Sequence, residues 1–178
     1  MRSILFLVLC SFNLMLTAQT WQWSQQIGGP GDETAVIAGV DAAGAVYVHG
    51  HYDNHWNSET YGLYIGQDTL HEANHSTYLA KFSAEGTLQW LRSCASVVGI
   101  GINNAVLDTV DQRLYVVGVY GTSCTLDTLH LEAPGPYGAA FLSQWSLDGR
   151  CIWARNVALS GADQFGNSCG VEAVALDG

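Results

Sequence analysis

The chain has 178 residues, 48% of them hydrophobic and only 12% charged, with sixteen acidic residues against six basic ones. A chain this acidic lacks the basic face that nucleic acid and anionic membrane surfaces demand, so neither is expected as a partner.

The first residues, MRSILFLVLCSFNLMLTAQT, carry one Arg, an apolar run from Ile4 to Cys10, a second at Leu14–Leu16, and small residues before Gln19. This is the pattern of a secretory signal peptide over residues 1–18, cleaved after Ala18. Its apolar core is too short for a spanning helix of about 20 residues. Leu9 precedes Cys10 where a lipoprotein would carry a small residue, so lipidation is not expected. No later stretch has the apolar length of a membrane span, and the mature chain is expected to be secreted or displayed at the cell surface.

Residues 19–178 carry short apolar segments rich in Val, Tyr, Ile, Leu and Trp, separated by Gly, Asp, Ser and Asn. That is the signature of strands and turns. Strands are expected at Ala35–Val40, Ala45–Tyr52, Thr77–Phe82, Thr87–Arg92, Asn104–Asp108, Arg113–Tyr120, Ala139–Trp145, Arg150–Val157 and Val171–Leu176. The fold class is all-β.

Segments recur along the chain. YLAKFSAEGTLQW at Tyr78–Trp90 returns as FLSQWSLDGRCIW at Phe141–Trp153, VYVHGHY at Val46–Tyr52 as LYVVGVY at Leu114–Tyr120, and DTLH at Asp68–His71 as DTLH at Asp127–His130. The offsets are 63, 68 and 59 residues, which implies a nine-residue insertion in the first copy between Tyr52 and Asp68. Repeats of this length indicate solenoids, propellers or arrays. Ser83-Ala84-Glu85-Gly86 and Ser146-Leu147-Asp148-Gly149 place Ser first and Gly last, which suits a tight turn joining two strands. Asp41-Ala42-Ala43-Gly44 is built alike, with Asp111-Gln112 in the matching place of the second copy. Each unit then holds four antiparallel strands, the size of a propeller blade. The expected units are residues 23–89, 90–152 and a partial 153–178. Two units and part of a third do not close a ring of four to eight blades, so the chain is expected to be the N-terminal part of a longer one with further blades following it.

Four cysteines remain after the signal: Cys94, Cys124, Cys151 and Cys169. Their even number permits disulfides in an oxidising compartment, but they do not occupy repeating positions, and no specific pairing is assigned.

His71-Glu72-Ala73-Asn74-His75 fits H-E-x-x-H, in which two His one helical turn apart hold zinc and the Glu polarises its water. Here the string lies between strand-like segments, so the helical spacing is not available. His71 also matches His130, where no second His follows. His49, His51, His55, His71 and His75 all fall in the first copy, but as loop and strand-edge residues they need no metal. No metal or other cofactor is assigned, and no catalytic residue. Trp90 and Trp153 hold matching repeat positions and read as wedges between units. By contrast Trp56, Asn57, Tyr61 and Tyr64 lie in the inserted loop, with the composition of sugar and protein contact surfaces. This loop is the candidate ligand-binding element.

The order Trp23, Gly28-Gly29, Asp32, Ala35–Val40, Asp41-Ala42-Ala43-Gly44, Val46-Tyr47-Val48-His49-Gly50, Tyr78-Leu79-Ala80-Lys81-Phe82, Gly86 and Trp90 resembles the SBBP-type β-propeller repeat of secreted proteins of the Bacteroidota. The second copy departs from it, with Ser96–Gly101 replacing the Gly-Gly/Asp segment and Gln144-Trp145 replacing Lys-Phe. The resemblance implies an extracellular scaffold with no general catalytic residues; full-length members of that family often end in a sorting domain read by the type IX secretion machinery, which is not found in this sequence. The function expected is therefore adhesion or contact with an extracellular protein or glycan. The competing class is an exported hydrolase or metallopeptidase whose catalytic part lies mostly elsewhere.

Overall fold

The fold follows from short apolar strands whose successive side chains point to opposite faces of a sheet. A computed structural model of the chain describes residues 22–29, 31–52, 62–70, 76–96, 98–136, 138–158 and 171–176. The signal peptide expected at 1–18 lies outside them. Among the described residues the elements are β1 (Ile27–Gly28), β2 (Val36–Val40), β3 (Val46–Tyr52), β4 (Leu63–Ile65), β5 (Asp68–Leu70), β6 (Ser76–Phe82) and β7 (Leu88–Ser96). They continue with β8 (Ile100–Asp108), β9 (Arg113–Tyr120), β10 (Ser123–Leu126), β11 (Leu129–Glu132), β12 (Ala139–Ser146) and β13 (Cys151–Ala158). No helix occurs among them, and the protein is all-β.

All pairings are antiparallel. The first sheet runs β11-β10-β7-β6-β3-β2, the second β13-β12-β9-β8, and a small third β1-β4-β5. Two cores result. One lies between the first and second sheets and joins Tyr47, Leu79 and Cys94 to Leu107, Leu114, Val116, Phe141 and Trp145. The other lies on the opposite face of the first sheet, where Val48, Tyr52, Tyr78 and Phe82 pack with Leu63 and Ile65 of the third sheet, flanked by Trp23.

The expected turns form. Gly86 N–H donates to Ser83 O at 3.0 Å and Gly149 N–H to Ser146 O at 3.1 Å, each joining two paired strands. At the third turn, Asp41 Oδ1 accepts from Ala43 and Ala45 N–H at 3.0 and 2.9 Å. Its counterpart is Asp108, whose Oδ1 accepts from Val110 and Asp111 N–H, both at 2.9 Å. Asp111 therefore does not take that role, and Gln112 adopts the positive φ (56°) that Gly44 (81°) supplies in the first turn.

Trp23 Nε1 donates to Ala84 O at 2.9 Å, and a side chain at Gly86 would strike its indole. Trp90 Nε1 donates to Leu147 O at 3.0 Å, and a side chain at Gly149 would strike its ring. In each case the ring packs against a turn because the glycine leaves room for it. The second contact has added donors, since Arg92 Nε reaches Gly149 O at 2.9 Å and Lys81 Nζ reaches Leu147 O at 3.5 Å. Trp153 differs: its Nε1 donates within its own sheet, to Gln144 Oε1 at 2.9 Å.

Several expectations change. The hairpins β4–β5 and β10–β11 are additional strands, and β7 and β8 run longer than predicted. The string DTLH does not mark equivalent places: Asp68 is a strand residue, whereas Asp127 is in a turn. Pairing aligns Ile27↔Ile65 with Cys94↔Leu126 and Gly28↔Tyr64 with Ala95↔Thr125. That sets Gly66 (φ 63°) against Asp127 (φ 56°), a two-residue shift from the DTLH alignment, and His130 then corresponds to Thr69 rather than to His71. Val171–Leu176, expected as a strand, is not one. It is tied to β8 by side chains instead, with Asn103 Nδ2 donating to Val171 O at 2.6 Å and Val174 N–H to Asn104 Oδ1 at 3.5 Å.

Candidate functional site

The small third sheet borders a hollow that includes Tyr64 of the inserted loop. In β4 the alternation is strict: Leu63 and Ile65 are buried, and Tyr64 between them turns outward, 42% exposed. Opposite Tyr64 stands Gly28, where nothing lies within 4 Å of the place a side chain would occupy. Gly66 reverses the chain after β4 with φ 63°. The result is a cavity of about 550 Å³ lined by Gln25, Gln26, Gly28, Gly29, Tyr64 and Gly66. Gln25 Nε2 lies 3.4 Å from Gln26 O, a long hydrogen bond that a ligand oxygen can replace.

Among the described residues no ionisable side chain other than the Tyr64 phenol lines the hollow. An aromatic face beside two primary amides offers stacking together with paired donors and acceptors, which is suited to a neutral polyhydroxyl ligand. Trp56, Asn57 and Tyr61 lie outside the described residues, so of the candidate loop the structure places Tyr64 alone. Ile65, read with the loop, belongs to the core.

Of the histidines singled out, His55, His71 and His75 also lie outside the described residues. His51 is exposed, with its Nδ1 2.8 Å from Thr34 Oγ1. His49 is buried. Among the described residues no group of three or more His, Cys, Asp or Glu side chains is placed to hold a metal ion. Cys94, Cys124 and Cys151 are free, buried thiols in the core between the sheets. Burial, with Cys151 nearby, pushes the Cys124 thiol up to about 12, and burial next to Asp127 does the same for Cys151.

Asp41 anchors a polar cluster at the rim of that core. Its Oδ2 accepts from Tyr47 Oη at 3.1 Å and lies 3.6 Å from Lys81 Nζ, which itself sits 4.9 Å above the Tyr47 ring. Burial alone would raise the Asp41 pKa, but the Ala45 N–H, the Tyr47 hydroxyl, the Ala43 N–H and the Lys81 charge outweigh it and leave the carboxyl below its ordinary value.

Sequence reasoning missed a second hollow, of about 690 Å³, between the β10–β11 turn and the Ser146–Gly149 turn, where Arg113, Asp127, Asp148 and Arg150 meet. The one signal for it is Asp127, a non-glycine residue at positive φ where the other hairpin has Gly66. Its Oδ2 accepts from Cys151 N–H at 3.2 Å, which ties the hairpin to β13.

No protein-family model matches the chain, and no curated protein or solved structure matches it.

Proposed function

We propose that this chain is a non-catalytic, secreted or cell-surface scaffold of the β-propeller type, built from SBBP-like repeats, which presents loops to an extracellular glycan or protein. The observation that carries the binding role is the hollow beside Tyr64, at the base of the inserted loop, because an aromatic face flanked by Gln25 and Gln26 has the chemistry of a sugar subsite. The scaffold reading is supported by the two tryptophan-on-turn contacts, Trp23 on Ser83–Gly86 and Trp90 on Ser146–Gly149, which repeat the same bond to the second residue of each turn. The equivalent pairing of β1 with β4 and of β7 with β10 supports it too. Localisation rests on the signal-peptide pattern of residues 1–18.

The test is a glycan array followed by titration calorimetry on the wild type and on Tyr64→Ala, Gln25→Ala and a variant in which residues 54–61 are replaced by a Gly/Ser linker. The replacement stops short of Leu63 and Ile65 because both are core residues. Binding to a neutral oligosaccharide that falls at least tenfold in Tyr64→Ala, with an unchanged β-rich spectrum, is the expected result. Binding that survives all three changes removes the site. Peptidase or glycosidase turnover by the purified chain removes the non-catalytic reading.

A further inference from the structure

His49 lies in the middle of β3, on the face that carries Tyr47 and packs against the second sheet. Its pairing neighbours are Val36 on β2 and Leu79 on β6. It is 3% exposed, and neither Nδ1 nor Nε2 has a hydrogen-bond partner. A neutral imidazole so placed leaves one donor and one acceptor unmet, and a protonated one leaves two donors and a charge. The matching place in the second sheet is Val117, between Leu142 on β12 and Asn104 on β8 and 2% exposed, so the same seat takes a wholly apolar side chain.

We propose that His49 is an acid-sensitive latch: protonation of this imidazole loosens the packing of β3 and β6 against β8, so that the seam between the two large sheets opens in mildly acidic surroundings.

The groups around it offer the proton no compensation. On β3, Tyr47 is committed to Asp41 and the His51 ring to Thr34. On β6, Lys81 is held by Asp41, and a second cation there would repel the imidazolium. On β7 the same face brings Arg92, bonded to Gly149 O, and the buried Cys94 thiol. β2 has no titratable residue. β8 has only Asp108, at its far end, where it caps the following turn. These strands therefore leave no carboxylate free to pair with a charged His49, and burial holds its pKa below the ordinary 6.5.

The direction follows by linkage. In the unfolded chain the ring titrates near its usual value of about 6.5. Below that pH the unfolded chain takes up the proton while the folded chain does not, so stability is complete above about pH 6.5 and falls as the pH drops, by up to about tenfold in the folding equilibrium per pH unit. The loss levels off below the folded-state value.

Urea unfolding at pH 7.5 and 5.5 on the wild type, His49→Val and His49→Gln tests this. The folding equilibrium of the wild type should fall at least about fivefold more over this interval than that of either variant. His49→Gln should be weaker than His49→Val at both pH values, because it keeps an unmet polar group without the titration. The remaining histidines are common to all three proteins and cancel. Identical pH dependence in all three overturns the proposal. So does an NMR titration of the folded wild type that places the His49 pKa at 6.5 or above, and that measurement needs no variant to fold.

Discussion

Where β3 pairs with β6, the positions on one face are Tyr47, His49, Leu79 and Lys81; where β9 pairs with β12, the same places hold Tyr115, Val117, Leu142 and Gln144. The aromatic and aliphatic members persist, and the polar ones change with what lies opposite. Lys81 and Arg92 stand beside Trp90, and all three donate to carbonyls of the Ser146–Gly149 turn. Arg155 stacks over Trp153 as Arg92 does over Trp90, at 5.6 and 5.9 Å. Yet Gln144 replaces Lys81, and the Trp153 indole is satisfied within its own sheet. A turn carbonyl brought against a sheet needs donors from that sheet, and where the described residues bring no such turn the indole pairs locally.

Trp90→Ala breaks the comparison most severely. It removes an indole that packs against the core and its bond to Leu147 O, and should cost about 3 kcal/mol in calorimetric unfolding. Trp23→Ala, whose turn receives one side-chain donor from across the interface, should cost about 1 kcal/mol less. Equal losses would show that the two indoles contribute alike despite the added donors at the second turn.

Gly50→Ala and Gly118→Ala sharpen the likeness of the two halves. A methyl group at either would run into a backbone carbonyl, that of Thr34 or of Gly101. Each should lose about 2 kcal/mol by overpacking, and by similar amounts; a difference above about 1 kcal/mol would mean that the two strand pairs yield unequally.

Asp41→Ala removes the acceptor for two backbone N–H groups and the Tyr47 hydroxyl, and should cost about 1.5 kcal/mol at pH 7. Because the folded-state pKa is lowered, the stability supplied by the carboxylate is present above the unfolded value of about 3.9 and is lost as the pH falls through the folded one. The difference between wild type and variant should therefore shrink below about pH 4. Asp127→Gly should change stability by less than about 0.5 kcal/mol, since relief at φ 56° offsets the lost bond to Cys151 N–H.

The long strands were legible because their apolar residues alternate and their turns carry Gly, Asp and Ser at defined places; Arg113–Tyr120 was read with the bounds it has. The hairpins β4–β5 and β10–β11 were not, because three- and four-residue strands are too short to show a period, and the repeated DTLH string suggested an alignment that strand pairing does not follow. Val171–Leu176 has a strand's composition, but among the described residues its bonds come from Asn103 and Asn104 side chains rather than from a ladder. Of the candidate site, Tyr64 was legible from its place in a loop that does not repeat. Gln25 and Gln26 were not, since nothing in the sequence shows that β1 will lie beside β4. The unpaired burial of His49 was equally hidden: the alternation His49, His51 places both rings on one face, and only the packing of the second sheet separates a buried ring from an exposed one.

Cys94, Cys124 and Cys151 lie in the one core that spans both large sheets, each nearly closed to solvent and each with its thiol pKa raised by burial. A thiol in that state reacts with an alkylating reagent only when its surroundings part. The chain thus carries its own clock for the breathing of its interior: the order in which β7, β10 and β13 acquire label reports which strand departs first, with no cysteine engineered in.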